Sequence, residues 1–206
     1  MKKEQDYIRH IAEIRFMMER SSKFLSLSGW AGIMAGIYAL TGAYIAYTFL
    51  DFNPDEIFYD PSVSSTFSFP RFILLGITIL VFALGTAVFL SYKSAGKRNE
   101  KLWNPTSKQL LVNMMVPLVV GGLLIIFLIS RGLIGFVAPF SLLFYGLALF
   151  SAGSYTYKEV KILGLIQISL GLISSWFVDY GLLCWALGFG AVHIIYGIYM
   201  NYKYER

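Results

Sequence analysis

Residues 110–130 read LLVNMMVPLVVGGLLIIFLIS, twenty-one positions without one charged side chain. As a helix rising 1.5 Å per residue the run is about 30 Å long, the thickness of a bilayer's hydrocarbon core. A lone strand would leave its backbone groups unpaired in lipid, and the alternation of a β-barrel segment is missing. Five further runs share this character, at residues 25–50, 72–92, 133–151, 160–178 and 182–200. The first is over-long, so it tilts or begins nearer Ser28. The chain is therefore expected to be an all-α integral membrane protein. It divides into a cytoplasmic amphipathic helix over 1–24, a six-helix transmembrane domain over 25–201, and a tail over 202–206.

Composition supports this. The 206 residues are 57% hydrophobic and only 14% charged, with mean hydropathy +0.63, whereas a soluble domain carries about 25% charged residues. A soluble fold of this size could not cover so much apolar surface. The net charge of +5 is no footprint of nucleic acid, because the basic residues sit between apolar runs and not on one folded face. The single cysteine, Cys184, allows neither an internal disulfide nor a thiolate metal cluster. The first twenty residues mix charges with apolar positions and do not read as a signal peptide.

Lys and Arg orient the spans. Fifteen of the seventeen lie in the N-terminal segment, the 93–108 connection, the connection holding Lys158 and Lys161, and the tail; only Arg71 and Arg131 lie on the other side. Both termini are expected in the cytoplasm, in the inner membrane of the cell. The opposite side carries Asp51, Asp55, Glu56, Asp60 and Asp179. Its loop of 51–70 holds three prolines and five aromatic rings, which suits packing at the headgroup level better than a free linker.

Within the spans, small residues form stripes that let helix backbones approach closely. Ser28, Gly32 and Gly36 recur every four residues, and Ala186, Gly190, His193 and Gly197 share a face of the last run. Gly32, Gly36, Gly190 and Gly197 are thus expected helix-packing positions. Pro117 and Pro139 would each free a carbonyl and kink a helix. Ionisable groups at membrane depth are nearly absent, His193 being the exception, which counts against ion-coupled transport. Asn113, Gln167 and His193 lie at similar depth on small or polar stripes of three different spans. They are expected to meet, either as a hydrogen-bonded brace or as a small polar cavity with His193 as ligand or switch.

No catalytic motif is legible. The Gly-x-Ser-Gly context of intramembrane serine proteases, His-Glu-x-x-His and paired axial histidines are all missing, since the other histidine, His10, lies before the first span. No cofactor or metal is expected. Ahead of the bundle, Tyr7, Ile11, Ile14 and Met18 recur at spacings of four, three and four, a narrow apolar stripe of coiled-coil period between mixed charges. That stripe is a candidate contact for a second copy of the chain or a cytoplasmic protein, competing with packing on the bundle's own loops. The expected function is non-enzymatic: a sensor, regulator or assembly partner in contact with lipid. The alternative is a small transporter or channel for a neutral or lipid-like solute.

The charge asymmetry is directly testable. In a Cys184→Ser background, Asp60→Cys is expected to react with an impermeant thiol reagent added to intact cells, and Lys97→Cys to stay unlabelled. Labelling of both, or of position 97 alone, refutes the orientation.

Overall fold

The computed structural model describes residues 28–50, 69–97 and 103–205. The N-terminal stripe of Tyr7, Ile11, Ile14 and Met18 and the aromatic loop before Pro70 lie outside these residues. Among the described residues there is no strand, and six helical segments are long and apolar enough to cross a membrane. They are α1 (Gly29–Phe49), α2 (Phe69–Lys97), α3 (Pro105–Ser130), α4 (Val137–Ala152) entered through a 3-10 turn at Ile134–Phe136, α5 (Lys158–Trp176), and a composite last span. The last span begins with a 3-10 turn, Val178–Tyr180, and continues as α6 (Gly181–Trp185), a π-helical stretch (Ala186–Val192), α7 (His193–Met200) and a second π-helical stretch (Asn201–Glu205).

Several ends differ from the hydropathy reading, for local reasons. The third span starts at Pro105, not near Leu110, because Asn104 and Ser107 form a reciprocal capping box and proline occupies the first helical position. It ends in a Schellman turn: Gly132 takes φ 73°, Gly132 N–H donates to Ile129 O, and Leu133 N–H donates to Leu128 O. Pro139 is not a mid-span kink. It is the third residue of α4, in the turn whose N–H groups have no helical partner, so its ring costs no hydrogen bond. Among the described residues, Pro117 is the proline that lies beyond the first turn of its helix.

Successive spans run antiparallel, and two seams of bare backbone hold them. Between α4 and α5, a Cβ added at Gly146 would lie 2.8 Å from Gly164 O, and one added at Gly164 would lie 2.7 Å from Gly146 O. Gly171 lies as near Leu143 N. Between α1 and the last span, Gly29 faces Gly197, Gly32 meets the Cα of Gly197, and Gly36 faces Gly190 O. These are close approaches that only glycine permits. The spans are thus ordered α2, α1, last span, the α4–α5 pair, α3, with α2 and α3 as the outermost layers. α2 rests chiefly on α1, through Tyr38 and Thr86, whose hydroxyls are 3.2 Å apart, and through Ile79 over Gly42. Near the opposite end an apolar cavity of about 170 Å³ remains between Ala46, Phe72, Leu75, Ile134 and Leu182.

At the end rich in lysine, the last span ties down two helix starts. Glu205 Oε1 accepts the Gly29 N–H at 2.6 Å and so caps α1, whose own Ser28 makes no side-chain cap. Glu159, in the first turn of α5, accepts Lys203 Nζ at 2.6 Å and the Tyr204 hydroxyl at 3.0 Å. Lys203 is 44% exposed, so solvent screens this pair and it contributes more to geometry than to stability.

The seams predict a contrast between two glycines. Gly164→Ala drives a methyl into backbone and is expected to lower the detergent melting temperature by roughly 3–10 °C, for an overpacking penalty of about 1–3 kcal/mol. Gly122→Ala, where an added Cβ meets nothing within 4 Å, is expected to leave it unchanged or slightly raised. Equal melting temperatures for the two variants contradict the seam.

Candidate functional site

Two of the polar side chains buried inside the bundle, Gln167 and His193, meet at the π-helical stretch of the last span. Gln167 is fully buried and His193 is 4% exposed. Gln167 lies nine residues from either end of α5, and His193 fifteen from Val178 and twelve from Glu205, so the cluster sits near the middle of its spans. Gly188 and His193 are five residues apart, the hydrogen-bonding period of a π-helix. Gly188 and Gly190 let this stretch pack closely: a Cβ added at Gly188 would meet Gln167 Oε1 and one added at Gly190 would meet Leu40.

The contacts fix the chemistry. Gln167 Nε2 donates to Gly188 O at 2.7 Å, and His193 Nδ1 lies 2.8 Å from the same carbonyl. A carbonyl only accepts, so Nδ1 carries the proton and Nε2 is the acceptor of the neutral ring. Nε2 takes the Tyr145 hydroxyl at 3.0 Å. The 3.3 Å approach of Gln167 Nε2 to Nδ1 is then two donors meeting at one oxygen, not a bond between them. Rings enclose the imidazole: Phe189 stacks on it at 5.8 Å and 15°, and Tyr145 lies at 5.5 Å. Trp185 continues the row, 5.1 Å from Phe189.

Of the three residues expected to meet, the structure brings together Gln167 and His193. Asn113 does not join them: its Nδ2 donates to Gln109 O at 2.8 Å within α3. The reason lies in helix order, since α3 packs on α4, which stands between Asn113 and the other two. The third member is Tyr145. The signal for it is a lone phenol in the middle of an apolar run, which needs a hydrogen-bond partner when buried.

Three buried oxygens, Glu159 Oε2, Gln167 Oε1 and Ser174 Oγ, have no hydrogen-bond partner among the described residues. Oε1 presses against Gly188, where an added Cβ would come within 2.5 Å of it and 2.6 Å of Leu142. The amide is held by shape as much as by bonds. No group of three or more His, Cys, Asp or Glu side chains among the described residues could hold a metal ion. Neither protein-family models, nor curated proteins, nor solved structures match this chain.

A structural brace predicts a graded response. Tyr145→Phe deletes one interhelical hydrogen bond, worth about 0.6 kcal/mol in membranes, and leaves His193 Nε2 without a donor. His193→Phe strands the Tyr145 hydroxyl in turn, at the cost of about 1–3 kcal/mol for an unsatisfied buried group, and also removes the Nδ1–H donated to Gly188 O. His193→Phe is therefore expected to melt several degrees lower than Tyr145→Phe, and the double variant to recover part of the loss. Strictly additive effects in this cycle contradict the Tyr145–His193 bond.

Proposed function

We propose that this chain is a non-enzymatic membrane protein that acts through interactions, as a regulator, sensor or assembly partner, with both termini in the cytoplasm. The carrying observation is that both ring nitrogens of His193, the ionisable group nearest the middle of the spans, are engaged inside the bundle. An imidazole whose donor and acceptor are both taken by Gly188 and Tyr145 serves as a joint between helices. A transport site needs polar atoms turned toward a passage, and an acid–base site needs one open nitrogen. The apolar cavity of about 170 Å³ is lined by other residues than Gln167 and His193. The fifteen-to-two distribution of basic residues supports the cytoplasmic placement of the end where α1 begins and the last span finishes.

With the core occupied by packing, the interaction is assigned to the cytoplasmic stripe of Tyr7, Ile11, Ile14 and Met18. Its flanking charges are of both signs, which suits a protein surface better than anionic headgroups. Two heptads are too short to pair alone, so the bundle supplies the anchor.

Deleting residues 2–20 is expected to alter the oligomeric state in mild detergent, or to remove a specific co-purifying protein, while the bundle's melting temperature stays within a few degrees. His193→Phe is expected to lower stability and leave the association intact. Unchanged association after the deletion defeats the proposal. So does saturable solute uptake into proteoliposomes that His193→Phe abolishes without loss of stability.

A further inference from the structure

The crevice between α1 and α2 has two compartments that share Trp30 and Leu90. At the lysine-rich end is a polar pocket of about 400 Å³, walled by Ser28, Lys93, Ser94, Asn201 and Glu205. Past Trp30 it continues as an apolar trough of about 550 Å³ along Met34, Val81, Phe82, Gly85 and Phe89. The trough opens on the lipid-facing surface, where Val81, Phe82 and Phe89 are each at least 60% exposed. Ser94 and Val81 are thirteen residues apart on one helix, about 20 Å at 1.5 Å per residue. That is somewhat more than one leaflet of a hydrocarbon core about 30 Å thick.

We infer that this crevice binds one zwitterionic, amine-bearing phospholipid, its headgroup in the polar pocket and an acyl chain in the trough. The charge arrangement selects the headgroup. A phosphate needs a cation and hydroxyl donors, which Lys93, Ser28 and Ser94 supply. An ammonium needs an anionic acceptor, and Glu205 stands on the same wall with the amide of Asn201. Glu205 is held in place because one of its oxygens caps Gly29, and a carboxylate has lone pairs for further donors. An anionic headgroup would bring its uncompensated charge against that carboxylate. A free phosphate would leave the trough unfilled.

The trough is built into the helices. Its wall on α2 includes Gly85, at which an added Cβ would meet nothing within 4 Å. The neighbouring Thr86 hydroxyl, 3.2 Å from that of Tyr38, pins the two helices together at the same level. The inference does not rest on the function proposed above.

The test uses the full chain in nanodiscs of equal phosphatidylethanolamine and phosphatidylglycerol, with a trace of either lipid carrying a diazirine on its acyl chain. After irradiation, labelled peptides are mapped by mass spectrometry. The ethanolamine lipid is expected to label Met34, Val81 and Phe89 about fivefold more than the glycerol lipid, the scale of one partly exposed ion pair. Gly85→Phe enters the trough from a position where an added Cβ meets nothing within 4 Å, and should remove that label while labelling of the outer face of α3 persists. Glu205→Gln keeps an acceptor for Gly29 and should bring the two lipids to equality. Equal labelling by both lipids in the unaltered chain, or label indifferent to Gly85→Phe, overturns the inference. A severalfold rise in trough label on deleting residues 2–20 also overturns it, because the crevice then belongs to the chain's own N-terminal segment.

Discussion

Helices in lipid gain little by hiding apolar side chains from one another, because the solvent they leave is as apolar as they are. What remains is how near two backbones can come and how many atoms then touch. In this bundle the limit is set by glycine: Gly146 against Gly164 in one seam, Gly29, Gly32 and Gly36 against Gly190 and Gly197 in the other. The last span belongs to both halves, meeting α1 on one side and α4 and α5 on the other. It is the element on which the two seams are assembled.

The polar groups follow from that closeness. An amide and an imidazole far from water must bond each other or the backbone. Here a locally widened turn offers Gly188 O to two donors at once, from α5 and from the last span itself. Packing without a Cβ at Gly188 admits the Gln167 amide, and the amide in turn helps hold the turn open. Shape and hydrogen bonding support the same arrangement, as expected where a polar network is retained in an apolar interior.

Much of the architecture was legible because membrane spans announce themselves by length and by the absence of charge. The glycine stripe of α1 and the faces holding Gln167 and His193 were legible as well, since a helix displays its 3.6-residue period in the sequence. What periodicity does not carry is which helix lies beside which. That is why Asn113, at similar depth on a similar stripe, was expected at the cluster and instead bonds within α3. Tyr145 was hidden by its neighbours, since one more ring among Phe140, Phe144 and Phe150 reads as bulk. The π-helical turn has no periodic signature at all. It shows only as the pair Gly188 and Gly190, which a packing stripe explains equally well.

The order of contacts along the chain bears on biogenesis. α1 is emitted early, yet the surface it docks on lies in residues 186–205. At about 5–20 residues per second, its glycine face waits on the order of ten seconds in the bilayer before its partner is synthesised. During that interval α1 and α2 can exist only as a provisional hairpin, its first turn uncapped because Glu205 has yet to emerge. Assembly of this seam is therefore completed only after residues 186–205 have been synthesised, long after α1 itself.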